Sequence, residues 1–259
     1  MTKNNLPIGV FDSGLGGLTV VKQIKKILPH ENIVYLGDTA RVPYGTRSKE
    51  TIIKFSFEDA NFLLKKDVKC IVIACNTASA LSGKELESKL NIPVFDVITP
   101  TLKYAKSIAK NNKIGVIGTR GTIESGAYSV NFAAPCPLFV PFIEEGNVDC
   151  EALKIIAGNY LSDFKKEGID TLIMGCTHYP IIQDVIQKEI GKNVKLIDPG
   201  SVVAEELKYS LTNSGLLNGQ KSFGKISYFV TDLTDRFTNV AEMFLGEKIN
   251  GRINKVSVD

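Results

Sequence analysis

The sequence predicts an α/β protein of two pseudo-symmetric parallel-sheet α/β domains with the active site in the cleft between them, and three observations carry that expectation. Short β-branched runs alternate with helical stretches, the pattern of parallel sheets wrapped on both faces. Two of these runs end on a thiol followed by small polar residues: Cys70-Ile-Val-Ile-Ala-Cys75-Asn76-Thr77-Ala78-Ser79 and Leu172-Ile173-Met174-Gly175-Cys176-Thr177-His178-Tyr179-Pro180. Buried parallel strands deliver chemistry to their C-terminal edges in this way. The third observation is an internal repeat. Ile8-Gly9-Val10-Phe11-Asp12-Ser13 resembles Ile114-Gly115-Val116-Ile117-Gly118-Thr119 at an offset of 106 residues, and the two thiols, Cys75 and Cys176, are offset by 101.

Taken in order, residues 8–11 read as the first strand, which turns at Asp12-Ser13-Gly14-Leu15-Gly16-Gly17 into a helix ending near Pro29. Asp or Ser there is a good N-cap, and the glycines let backbone N–H groups approach a ligand. Residues 32–36 form the next strand, and the loop 37–45 is too polar to be core. A helix over about 48–66, with Ile53, Phe57, Ala60 and Leu64 at helical spacing, leads into the Cys75 strand. Helix 78–90, strand 93–97 and helix 99–110 continue the alternation. Residues 113–119 read as a new first strand. Helices near 122–131 and 149–166, the Cys176 strand, a helix after Pro180 and the strand Lys195–Ile197 complete a second unit. A helix from near Ser201, a loop around 213–219, the strand Ile226–Val230 and a helix over about 234–245 close the chain.

At 259 residues and 44% hydrophobic composition, the chain can fill a proper core. Its 31 basic and 28 acidic side chains are scattered and leave a net charge of +3, which argues against nucleic-acid or membrane-surface binding. No apolar run is long enough to cross a bilayer and no signal-like segment precedes the first strand, so a cytoplasmic location is expected. Five cysteines without a CxxC pair argue against a disulfide framework. Cys70, Cys136 and Cys150 read as small hydrophobes. Cys75 and Cys176 would read the same way singly, but their matched strand ends and polar followers favour chemistry.

If ligands sit at the carboxyl ends of the strands, Asp12, Ser13, Cys75, Asn76 and Thr77 share one rim, and Thr119, Cys176, Thr177 and His178 the other. Facing rims put a thiol on either side of a bound molecule. Aligned amides at a helix N-terminus lower a thiol's pKa from about 8.5, so each cysteine can act as base or acid. One thiolate would take an α-hydrogen and the opposite thiol would return a proton to the other face, which inverts the carbon. Ser13, Asn76, Thr77, Thr119 and Thr177 are neutral donors for an amino acid's α-carboxylate, whose charge must be stabilised as a carbanion develops. Asp12 and His178 break the pseudo-symmetry: Asp12 to accept from the α-ammonium or influence the Cys75 proton, His178 to assist Cys176.

Simpler readings stand beside these. Asp12-Ser13 also caps a helix, His178 also suits a structural role, and Arg41 and Arg47 read as surface charges. The Gly14–Gly17 turn lacks the GxGxxG spacing, so NAD is not expected. Cys176 and His178 have no third ligand, so no metal is expected either. A non-catalytic two-lobed amino-acid-binding protein would use the same cleft, yet it needs no pair of thiols.

Four motifs in order, Ile8-Gly9-Val10-Phe11-Asp12-Ser13-Gly14-Leu15-Gly16-Gly17, Asp38-Thr39-Ala40-Arg41-Val42-Pro43-Tyr44-Gly45, Ala74-Cys75-Asn76-Thr77-Ala78-Ser79 and Gly175-Cys176-Thr177-His178-Tyr179-Pro180, closely resemble the bacterial glutamate racemases over nearly the whole chain. The resemblance implies cofactor-independent interconversion of L- and D-glutamate, supplying D-glutamate for peptidoglycan. It implies Cys75 and Cys176 as the catalytic acid/bases, with Asp12, Ser13, Tyr44, Gly45, Asn76, Thr77, Thr177 and His178 around the substrate and Thr119 and Thr122 on the substrate side. It implies a further acid in Val140-Pro141-Phe142-Ile143-Glu144-Glu145-Gly146, with Glu144 favoured over Glu145. It also implies that the chain after about Val203 returns to the first unit, giving domains at 1–98 with 208–259, and 99–207. Aspartate racemisation is the nearest alternative. A homodimer stays open, because no interface is legible in the sequence.

Overall fold

The computed structural model describes residues 3–249 and 251–258. The chain runs β1 (Ile8–Asp12), α1 (Leu18–Ile27), β2 (Ile33–Gly37), α2 (Lys49–Leu64), β3 (Cys70–Ile73), α3 (Asn76–Lys89), β4 (Val94–Asp96) and α4 (Ile98–Ile108). It continues through β5 (Ile114–Gly118), α5 (Arg120–Glu124), β6 (Phe132–Pro135), α6 (Phe139–Glu144), α7 (Glu151–Glu167), β7 (Thr171–Gly175), α8 (Gln183–Ile190), β8 (Lys195–Ile197) and α9 (Pro199–Asn213). It ends with β9 (Ile226–Val230), α10 (Phe237–Leu245) and β10 (Ile253–Lys255).

The strands form a six-stranded sheet in the order β10-β9-β2-β1-β3-β4 and a four-stranded sheet in the order β6-β5-β7-β8. All the pairings are parallel. β1, β2, β3, β5 and β7 are buried along their whole length, as expected of apolar strands covered by helices on both faces. The repeat is explicit in this order: β2-β1-β3-β4 and β6-β5-β7-β8 have the same layout. Cys75 follows the third strand of one unit and Cys176 the third strand of the other. In each, the first and third strands are neighbours whose connections leave in opposite directions, and ligands bind at such switch points.

The C-terminal part returns to the larger sheet, with β9 pairing β2 and β10 adding an edge strand. A wholly buried ion pair pins this return. Lys69 Nζ donates to Glu31 Oε2 and to the carbonyls of Asn4 and Leu216, while Glu31 Oε1 accepts from the Asn218 amide.

Several sequence expectations are corrected. The helix expected over 122–131 stops at Glu124, because Gly126 and Ser129 turn to positive φ (67° and 41°), and the chain then forms β6. α6 and β10 have no counterpart in the reading. The buried face of α2 includes Ile52, Ser56, Asp59 and Leu63, whereas Ile53, Phe57 and Leu64 are only half-buried. The loop 37–45 enters the interior: Asp38 and Tyr44 are buried, and Arg41 lies over the Phe55 ring, paired with Asp38, Glu58 and Asp59. Charge pairing lets so polar a segment go inside.

Candidate active site

The carboxyl ends of β1 and β3 face those of β5 and β7 across a cavity of about 40 Å3. Ser13, Tyr44, Gly45, Cys75, Asn76 and Thr77 line it from one side, and Thr119, Glu144, Cys176, Thr177 and His178 from the other. Val42, Pro43, Val140 and Gly175 complete the wall, positions to which sequence pattern alone assigns no role. Val140 lies on α6 one turn before Glu144, and its motif was the only signal pointing there.

Cys75 is the N-cap of α3. Its Sγ accepts from the Ala78 amide at 3.5 Å and lies 3.5 Å from Ser13 Oγ. Sequence reasoning expects this helix end to lower the thiol's pKa. Burial outweighs it: desolvation, assisted by the charge of Asp12, pushes the Cys75 thiol up to about 12. Cys75 is therefore a protonated acid in the closed site at neutral pH.

Cys176 has a different neighbour. Its Sγ lies 3.8 Å from His178 Nδ1, and His178 Nε2 lies 3.0 Å from Glu144 Oε1. Burial would depress the imidazole, but its hydrogen bonds and charge interactions with Cys176 and Glu144 prevail and raise it to about 10. His178 is thus an imidazolium at neutral pH, wedged edge-on against the Phe244 ring. Of the two adjacent acids, Glu144 reaches the site and Glu145 pairs outward with Arg236.

Three hydroxyls close the cleft at one end. Thr77 Oγ1 lies 2.9 Å from Thr119 Oγ1 and 3.2 Å from Thr122 Oγ1, and the latter two are 3.0 Å apart. Of the three, Thr77 and Thr119 line the cavity and Thr122 lies behind them, off the wall. Asp12 is also behind the wall. One carboxylate oxygen accepts from the Gly14 amide while Oδ1 has no hydrogen-bond partner among the described residues, and burial raises the pKa of Asp12. Tyr44 lines the wall, while its hydroxyl hydrogen-bonds the Asp38 and Asp59 carboxyls.

The glycine turn after β1 serves contact between the units. A Cβ on Gly16 would lie 2.2 Å from Thr177 Oγ1 and 2.6 Å from His178 Nδ1. Thr19 Oγ1 donates to the Thr177 carbonyl at 2.9 Å, a second tie across the cleft. Among the described residues, no three His, Cys, Asp or Glu side chains are grouped to hold a metal ion, and no helix is long and apolar enough to cross a membrane.

The arrangement is compatible with proton transfer at two opposed sulfurs, one protonated and one beside a cation. Comparison with known proteins identifies the family. Residues 8–207 match the family model described as Asp/Glu/Hydantoin racemase. The glutamate racemase of Geobacter metallireducens is 45% identical over 262 residues, covering 97% of this chain and 97% of that protein. The crystal structure of glutamate racemase from Francisella tularensis in complex with D-glutamate is 44% identical and superposes with a TM-score of 0.92, covering 99% of each chain. Escherichia coli glutamate racemase, solved with L-glutamate and the activator UDP-MurNAc-ala, is 25% identical with a TM-score of 0.76, covering 97% of this chain and 98% of that one.

Proposed function

Since the chain belongs to the Asp/Glu/hydantoin racemase family, we propose that it interconverts L- and D-glutamate with two solvent-exchangeable thiols, one of Cys75 and Cys176 removing the α-proton from one face and the other delivering its own proton to the opposite face. The chain is an amino-acid racemase. Its relatives' activity on glutamate supports glutamate as the substrate, and the two-thiol mechanism and a role in supplying D-glutamate for peptidoglycan in the cytoplasm extend that proposal. One observation carries the mechanism: equivalent strand ends of two repeated units put one cysteine each on a single cavity.

In this reading the thiolate on one face removes the α-hydrogen and becomes a thiol. The electron pair left on carbon delocalises into the α-carboxylate, held by neutral donors drawn from Ser13, Asn76, Thr77, Thr119 and Thr177. The opposite thiol protonates the other face and becomes the thiolate, so the reverse reaction starts from the swapped state. The His178 imidazolium, held by Glu144, pairs with the Cys176 thiolate whenever it forms. Asp12, behind Cys75, acts through that thiol, which makes the two directions depend on different helpers. Thr122 supports Thr77 and Thr119. Ligand pockets usually exceed about 300 Å3, so a cavity of about 40 Å3 implies that the rims part to admit the substrate. The proposed domains, 1–98 with 208–259 and 99–207, are the bodies that would move.

Chiral chromatography after incubation of the purified protein with L-glutamate, D-glutamate or L-aspartate, without added cofactor, tests the substrate. The same mixture of enantiomers from either glutamate is expected. Turnover of aspartate alone would overturn the substrate assignment.

A further inference from the structure

Asn76 opens α3 directly after Cys75, and its side-chain amide can present either a donor or an acceptor to the cavity. Those two faces have opposite consequences. An NH2 turned inward stabilises a carboxylate, whereas a carbonyl turned inward repels it. Something must choose between them.

The choice is made from the other unit. Tyr128 lies between α5 and β6, and its hydroxyl donates to Asn76 Oδ1 at 2.6 Å. Both residues are buried, at 2% and 4% exposure. Burial raises the Tyr128 phenol well above its ordinary range, so it stays protonated and able to donate. Among the described residues the hydroxyl makes no other hydrogen bond and Asn76 Nδ2 has no partner, although Asn76 lines the cavity. Asn76 therefore spends its acceptor on Tyr128 and keeps its donor for whatever occupies the cavity.

We infer that Tyr128 is a positioning residue for the racemisation: from the second unit it fixes the Asn76 amide so that Nδ2 is offered to the substrate's carboxylate. The inference rests on the racemase reading above. It also makes the donor face of Asn76 conditional on the two rims being together, because the bond spans the cleft between the units.

Tyr128→Phe keeps the buried ring and removes only the hydroxyl. The freed carbonyl is left without its donor and the amide can turn it toward the substrate, so kcat/KM should fall roughly ten- to a hundred-fold, mainly through a rise in KM. A merely structural role would instead lower the thermal midpoint and leave the KM of the folded fraction unchanged. In an Asn76→Ala background the hydroxyl has nothing left to orient, and adding Tyr128→Phe should change kcat/KM less than about two-fold. A second measurement uses the wild type: the side-chain amide NMR pair absent from Asn76→Ala should shift when D-glutamate is added. A Tyr128→Phe enzyme whose KM lies within two-fold of wild type, or an Asn76 amide indifferent to glutamate, would overturn the inference. A wild type that racemises neither glutamate enantiomer would overturn the underlying reading, so the two failures are distinguishable.

Discussion

Replacing Glu144 by Gln removes one charge from the pair that holds His178 protonated. The bond is 3.0 Å long, and His178 is buried while the Glu144 side chain is 42% exposed. Coulomb's law at that distance gives about 5.5 kcal/mol at an effective dielectric of 20 and about 1.4 kcal/mol in water. The exposure of Glu144 puts the pair near the lower figure, because solvent screens it. About 1.4 kcal/mol is about one pH unit, so Glu144→Gln should lower the His178 titration from about 10 by about that much. The sign for stability follows from the raised value. The contribution is full below the unfolded histidine's pKa near 6.5 and is lost as pH rises through about 10. The chain has two histidines and His30 is exposed, so imidazole NMR of 15N-labelled protein separates them readily. A His178 that titrates near 6.5, or one unmoved by Glu144→Gln, would refute the account of its charge.

Three further outcomes are expected. Arg41→Met leaves the buried Asp38 and Asp59 carboxyls without their cation and should destabilise the fold by about 3–5 kcal/mol, read from the urea midpoint. Lys69→Met should cost a similar ~3–5 kcal/mol by stranding Glu31, and adding Glu31→Gln should recover part of it in the same titration. Gly16→Ala must displace Thr177 and His178, so it should reduce kcat/KM by roughly a hundred-fold through misplacement at the chemistry, with steady-state kinetics as the check.

The fold class was legible because strands buried on both faces leave a strong signature, and Lys195–Ile197 and Ile226–Val230 have the bounds the sequence implied. The repeat announced a second unit but showed no counterpart to β2. That counterpart is β6, an edge strand ending in Pro135, only partly buried and pairing with β5 alone; edge position is where a strand can tolerate proline and dispense with a β-branched run. α6 was hidden for a related reason, since Pro141 lies inside its six residues.

At the site, strand-end logic brings Ser13, Cys75, Asn76, Thr77, Thr119, Cys176, Thr177 and His178 onto one cavity. It does not separate wall from backing: Asp12, placed on the rim, stands behind the surface, as does Thr122, which only the family resemblance implied. It also misjudged Arg41, because a lone arginine in a polar loop gives no sign of carboxyls that another helix will supply. Cys75 shows a competition that sequence cannot weigh: the helix end favours the thiolate, and burial prevails. Tyr128 carries no motif, and only the tertiary contact between the units reveals its place.

The central claim is that two thiols on opposite faces exchange one proton at the α-carbon. Racemisation in D2O of each glutamate enantiomer by wild type, Cys75→Ser and Cys176→Ser tests it most directly, with α-deuterium and enantiomer ratio measured together. Wild type should deliver α-deuterated product in both directions, and each variant should lose inversion by roughly 10²–10⁴-fold. A single variant that inverts glutamate at the wild-type rate would contradict the account.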